Sequence, residues 1–165
     1  MLRLFFALPC PPSIVAQIDA WRSHLAISGR PTPSTNLHLT LAFLGHLPES
    51  ALALLEELPP RLPLRELAFD LQLDRLECWH GGLLHLAPSQ PPAELLALAS
   101  GLARLLGEVG LPSEPRTYRP HLTLARDSCL PGHIGSPRFA WRAEELALYR
   151  SEQGRYRPLV TWPLG

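Results

Sequence analysis

The sequence predicts an α+β fold made of two related lobes. Three observations carry that prediction. Runs with the two-residue period of strands alternate along the chain with runs of helical spacing. The pentapeptide His38-Leu39-Thr40-Leu41-Ala42 returns unchanged as His121-Leu122-Thr123-Leu124-Ala125. Finally, 165 residues with 46% hydrophobic side chains are enough for one compact domain, or for two small lobes sharing a core.

Residues 2 to 8 read as a buried strand, closed by prolines that also suit a helix start. Ile14, Ile18, Trp21 and Leu25 fall at helical spacing and predict an amphipathic helix over 12–26. Gly29, Pro31 and Pro33 mark a loop that leads into the first motif strand, 37–43, which Gly45 and Pro48 are expected to end. A helix over 49–58 stops at Pro59-Pro60. Clean alternation then puts Leu67, Phe69, Leu71 and Leu73 on one face of a half-buried strand. Two short strands, 76–79 and 83–86, flank a Gly81-Gly82 hairpin turn. A long helix over 92–109 carries Leu95, Leu98, Leu102, Leu105 and Leu106 on its apolar side and ends at Gly110. The loop 112–120 feeds the second motif strand, 121–126, and a further loop spans 127–137. Two last strands, about 139–150 and 156–162, join around Gly154.

The repeated pentapeptide is where chemistry concentrates. Side chains alternate faces along a strand, so each copy offers an imidazole and a hydroxyl together, His38 with Thr40 and His121 with Thr123. An unperturbed imidazole titrates near 6.5, so modest shifts keep one histidine neutral as a base and another protonated as an acid. That pairing suits displacement at phosphorus: one group takes a proton from the attacking oxygen and the other gives one to the departing oxygen. The threonines would hold non-bridging oxygens. Arg126 is the best local phosphate-binding cation, although strict alternation from His121 turns it to the opposite face unless the strand bends or ends there. Phe43, Tyr118 and Arg119 are candidates for contact with a base or ribose, with packing as the other reading of Phe43.

Composition narrows the remaining classes. Fifteen basic residues, all Arg, balance fifteen acidic ones, so there is no global field to drive non-specific nucleic-acid or membrane binding. The lack of Lys fits the codon bias of a GC-rich genome; the functional reading is that Arg suits bidentate phosphate contacts. Cys10, Cys78 and Cys129 are scattered without CxxC spacing, which argues against a disulfide framework or zinc knuckle and fits a reducing cytoplasm. The run Leu4 to Leu8 is short, meets Pro9 at once and lacks a cleavage pattern, so it does not read as a signal peptide, and no stretch is long enough to span a bilayer. His80 and His85 flank the glycine turn and read as turn and surface residues; His24, His46 and His133 have no identifiable partner. No cofactor and no metal is expected.

With its two HxT motifs the chain resembles the two-histidine (2H) phosphoesterase superfamily and, more narrowly, the bacterial RNA 2′,3′-cyclic phosphodiesterases, also called 2′-5′ RNA ligases. The likeness covers nearly the whole chain: the opening Arg3 to Leu8, NLHLTLAFLG at 36–45, RPHLTLAR at 119–126, and the closing Leu148-Tyr149-Arg150-Ser151 with Tyr156 and Trp162. It implies a bilobal fold, two antiparallel sheets flanking a central cleft with helices packed outside. It also implies a metal-independent enzyme that opens a terminal RNA 2′,3′-cyclic phosphate to a 2′-phosphate, with 2′-5′ ligation as the reverse reaction. On that resemblance His38 is the general acid protonating the leaving 3′ oxygen, His121 is the general base activating water, and Thr40, Thr123 and Arg126 hold the phosphate. The implied partners are RNA 3′ ends with cyclic phosphates, tRNA fragments or small cyclic nucleotides, met by a monomer in the cytoplasm away from any membrane. Two other readings stay open: a phosphodiesterase for small cyclic phosphates or 2′-5′ oligonucleotides, and a non-catalytic RNA-end binding module. The loops 27–35 and 127–137 are where substrate choice is expected to reside.

Overall fold

A computed structural model describes residues 1–114 and 117–165. Its elements in chain order are β1 (Leu2–Pro9), α1 (Pro12–Arg22), β2 (Arg30–Pro31), β3 (His38–Leu47), α2 (Leu52–Glu57), β4 (Phe69–Leu73), β5 (Arg75–Trp79) and β6 (Leu83–Ala87). They continue as α3 (Ala93–Glu108), β7 (Leu122–Arg126), β8 (Phe139–Ala143), β9 (Glu145–Glu152) and β10 (Arg155–Pro163). Part of the predicted 112–120 loop, residues 115 and 116, lies outside the described residues.

Two four-stranded antiparallel sheets dominate, in the orders β10-β9-β1-β3 and β2-β7-β6-β5, and each carries one motif strand. A two-stranded ribbon, β4 with β8, accompanies them. β1 is an interior strand of its sheet, and Leu4, Phe5, Phe6, Ala7 and Leu8 are all buried, which is why it reads as an unbroken apolar run rather than an alternation. Leu4, Phe6 and Leu8 join Leu84 and Leu86 of β6 and the apolar stripe of α3 in one contiguous core. α3 ends as its sequence predicts: Gly110 takes φ +72°, and the Leu111 and Gly110 N–H groups donate to the carbonyls of Leu106 and Gly107, closing a Schellman motif.

The helix expected over 49–58 is a 3-10 turn at Glu49–Ala51 running into α2, and the strand expected from Leu67 begins at Phe69. Four further differences have a local reason. α1 stops at Arg22 rather than 26, because past Ser23 the backbone tightens into three-residue turns and the Ser23 hydroxyl donates to the Ala20 carbonyl. The 28–35 loop contains the two-residue strand β2, which pairs with Ala125 and Arg126 of β7. β3 continues through Gly45, whose φ of +72° accommodates an irregularity in the pairing with β1 rather than an end. The strand expected over 139–150 is two strands broken at Glu144, β8 in the ribbon and β9 in the first sheet. The sequence registers that break as the charged pair Glu144-Glu145, between the residues of β8 buried at alternate positions, Phe139 and Ala143, and the unbroken buried run Leu146, Ala147 and Leu148.

Candidate active site

The two motif strands carry the same defect at the same place. In β3, Thr40 pairs with Ala7 and Ala42 with Phe6, leaving Leu41 without an opposite; in β7, Thr123 pairs with His85 and Ala125 with Leu84, leaving Leu124 without one. A bulge adds one residue and so reverses the facing of everything after it. Side chains five residues past each histidine, Phe43 and Arg126, therefore rejoin the face of His38 and Thr40 or of His121 and Thr123. Both line one cleft with the two histidines and two threonines. The alternation that turned Arg126 away is broken by the Leu124 bulge.

The end of β7 is also clamped. A Cβ on Gly29 would lie 2.2 Å from the Arg126 carbonyl oxygen and 2.3 Å from that of Asp127, so only glycine, here at φ +79°, allows the loop to cross so closely. The Arg30 guanidinium then donates to the Asp127 carboxylate at 2.8 Å across the same junction.

Both imidazoles are held in one tautomer. Nδ1 of His38 lies 2.7 Å from the Asn36 carbonyl oxygen, and Nδ1 of His121 lies 2.8 Å from that of Arg119. A carbonyl only accepts, so each Nδ1 carries its hydrogen, and in the neutral ring Nε2 is left with the free lone pair. The Thr40 hydroxyl donates to Nε2 of His38 at 2.7 Å. Burial pushes the His38 imidazole down to about 4, against the pull of its bond to Asn36 and helped by the nearby His121 and Arg126. Burial also lowers His121, aided by His85, Arg126 and Arg119. At neutral pH both imidazoles of the free cleft are therefore held toward the neutral, proton-accepting form.

Around His38 the first sheet builds an aromatic wall, with Phe5 at 4.9 Å and Tyr156 at 5.1 Å between ring centroids. Asn36, which sequence reasoning passed over, ties that wall to the motif. Its Nδ2 donates to the Gly154 carbonyl at 2.8 Å, its Oδ1 accepts from the Tyr156 N–H at 3.3 Å, and its own carbonyl holds His38. Asn36 is buried, and its place in a loop without periodicity gave no warning of that.

Around His121 the wall comes from the β5–β6 hairpin. Trp79 lies 4.5 Å from the His121 ring and 4.1 Å from His85, and the Arg119 guanidinium covers Trp79 at 4.6 Å. His85 is not a surface residue: it is 0% exposed, beside Thr123 in the sheet, with Nδ1 donating to the Leu83 carbonyl and Glu77 3.7 Å from Nε2. Its cross-strand partner, rather than the adjacent glycine turn, decides its surroundings. Tyr118 is not among the cleft-lining residues; its hydroxyl donates to the Thr40 carbonyl at 2.8 Å, joining the approach to one motif to the backbone of the other. Among the described residues no cluster of three or more His, Cys, Asp or Glu side chains has metal-binding geometry.

Residues 10–155 match the family model of the 2'-5' RNA ligase superfamily. The chain belongs to that superfamily. Within it, the chain is 37% identical to the RNA 2',3'-cyclic phosphodiesterase of Escherichia coli, over 98% of this chain and 96% of that protein. Against the RNA 2',3'-cyclic phosphodiesterase of Thermus thermophilus the identity is 33%, over 97% and 87% respectively. Among solved structures of the superfamily, the crystal structure of E. coli LigT complexed with 3'-AMP superposes with a TM-score of 0.90 at 35% identity, covering 99% of this chain and 98% of that one. The expected arrangement of antiparallel sheets around a cleft is the one found, with the β4–β8 ribbon added to it.

Proposed function

We propose that the chain is an RNA 2′,3′-cyclic phosphodiesterase that opens a terminal cyclic phosphate to a 2′-phosphate by acid and base catalysis from two histidines. The observation that carries this reading is the pair of imidazoles in one cleft, each with Nδ1 committed to a backbone carbonyl and Nε2 left to exchange a proton, that of His38 through a bond with the mobile Thr40 hydroxyl. The superfamily membership and two relatives named for this activity support it.

In the proposed reaction Nε2 of His121 takes a proton from water as the water oxygen bonds to phosphorus. The bond from phosphorus to the 3′ oxygen breaks, and Nε2–H of His38 protonates that oxygen, leaving a 3′-hydroxyl and a 2′-phosphate. His38 must gain a proton first, and the negative charge of the bound phosphodiester supplies the drive by raising its affinity for one. Thr123 and Arg126 face the phosphate from the second sheet and stabilise the charge that develops on its free oxygens. Thr40 faces it from the first; its hydroxyl donates to the neutral Nε2 of His38 in the free protein and turns to the phosphate once that nitrogen carries the proton. Phe43, at the place in its strand that Arg126 occupies in the other, offers a ring to the base.

The proposal extends to the organisation of the molecule: the two sheets serve as pseudo-symmetric lobes of one domain, acting as a monomer in the cytoplasm. Free Cys10, Cys78 and Cys129 suit a reducing compartment, and no described helix is long and apolar enough to cross a membrane. The test is incubation with a short RNA ending in a 2′,3′-cyclic phosphate, chelator present. Conversion to a 2′-phosphate, lost in His38→Ala and in His121→Ala, is expected. A cyclic end left intact by the wild type refutes the reading.

A further inference from the structure

The cleft continues along the first sheet beyond Phe43. The residues of β1 that line it are Phe5 and Arg3, and the pairing sets Ala7 opposite Thr40, Phe5 opposite Phe43, and Arg3 opposite His46 on one side and Ser151 on the other. From the level of Thr40 to that of Arg3 is four residues of β1, roughly 13 Å of extended strand. Arg3 is thus anchored well outside the level of the histidines, with Phe43 between.

The Arg3 guanidinium is exposed and lines the cleft. It lies 4.9 Å over the Phe43 ring and donates to the Ser151 hydroxyl at 3.2 Å. Among the described residues no carboxylate pairs with it, and no Asp or Glu lines the cleft. Its neighbours across the strands, His46 and Ser151, and Tyr156 opposite Ser151, are hydrogen-bonding groups without negative charge. An aromatic ring with a cation held against one of its faces combines the two contacts with which proteins hold a single strand, a base on a ring and the backbone on a charge. Guanidinium suits the second task because its planar fork pairs with two phosphate oxygens at once.

We infer that Arg3 binds the phosphodiester joining the terminal nucleotide to its 5′ neighbour, so that the cleft takes RNA ends of at least two nucleotides in preference to free nucleoside cyclic phosphates. This rests on the cyclic-phosphate reading of the site and adds to it a second phosphate position. Arg126 serves the reacting phosphate and Arg3 the next one along the chain.

The test compares adenosine 2′,3′-cyclic phosphate with the diadenosine form ending in the same cyclic phosphate. A third substrate has its internucleotide linkage replaced by an uncharged methylphosphonate. The wild type is expected to favour the native dinucleotide over the mononucleotide by roughly tenfold or more in kcat/KM, the worth of one charged hydrogen bond, and to lose that preference with the uncharged linkage. Arg3→Gln should lose about tenfold more on the native dinucleotide than on the mononucleotide and respond little to the linkage charge, with Arg3→Lys between. A wild type indifferent to the linkage charge overturns the inference without any variant. So does Arg3→Gln lowering both native substrates by one factor, which makes Arg3 a prop for Phe43. Hydrolysis of neither substrate by the wild type overturns the cyclic-phosphate reading itself, and this inference with it.

Discussion

In the free protein both motif histidines favour the neutral form, and the pH dependence of hydrolysis should carry that signature. Burial takes His38 to about 4 and holds His121 below its ordinary 6.5. On the proposed mechanism a productive encounter requires one imidazole protonated and one neutral, so kcat/KM should follow a bell whose limbs report the two macroscopic titrations of the pair. The acid limb falls near 4. The basic limb falls below 6.5, and above it kcat/KM drops tenfold for each pH unit, or about a hundredfold between pH 6.5 and 8.5. The basic limb of kcat should lie at higher pH, because the bound phosphodiester raises the imidazole that must donate. Initial rates on a cyclic-phosphate dinucleotide from pH 4 to 9, at constant ionic strength, measure both. A kcat/KM that stays flat from pH 6.5 to 8.5 would refute the reasoning, since it would mean that no group protonated in that range is needed.

Other variants probe the supports. Stability shares the His38 titration: its folded-state value is lowered, so the unfolded chain binds the extra proton between 6.5 and 4, and unfolding free energy should fall by on the order of 3 kcal/mol across that window. Urea titrations of wild type and His38→Gln compare the slopes, and equal slopes would remove His38 as their source. Gly29→Ala pushes a methyl group against the Arg126 and Asp127 carbonyls and should lower both Tm and kcat/KM; a well-folded variant of full activity would show that the crossing does not position Arg126. Asn36→Ala removes two buried hydrogen bonds, with an expected loss of about 1–3 kcal/mol in chemical denaturation and a fall in kcat through His38. An unaltered kcat would sever that link. Tyr118→Phe should cost about 1 kcal/mol without changing the relative rates on the four terminal bases; altered base preference would return Tyr118 to the substrate.

The site was legible where it repeats. Histidine and threonine in the same phase of two identical pentapeptides announced a shared face, and the structure puts all four side chains on one cleft. What escaped was the facing of the residues beyond, because alternation counts positions and has no means of registering an extra residue in the ladder. The bulges at Leu41 and Leu124 decide that Phe43 and Arg126 point inward, and they are visible only in the pairing. His85 was obscured by its neighbours: a glycine pair close before it signals a turn, while burial comes from β7 across the sheet. The break at Glu144 was present in the sequence as a pair of glutamates between an alternating and an unbroken apolar run, and is plain once the two halves are seen to join different sheets.

The division of labour between the two histidines can be tested by changing the leaving atom. In a cyclic phosphate whose bridging 3′ oxygen is replaced by sulfur, the thiolate departs without being protonated, so an acid is no longer required. On the oxygen substrate both His38→Ala and His121→Ala should lose about 10²–10⁴-fold in kcat. On the sulfur substrate His38→Ala should recover most of that loss while His121→Ala stays impaired. Recovery in His121→Ala instead, or in neither variant, would contradict the assignment of His38 as acid and His121 as base.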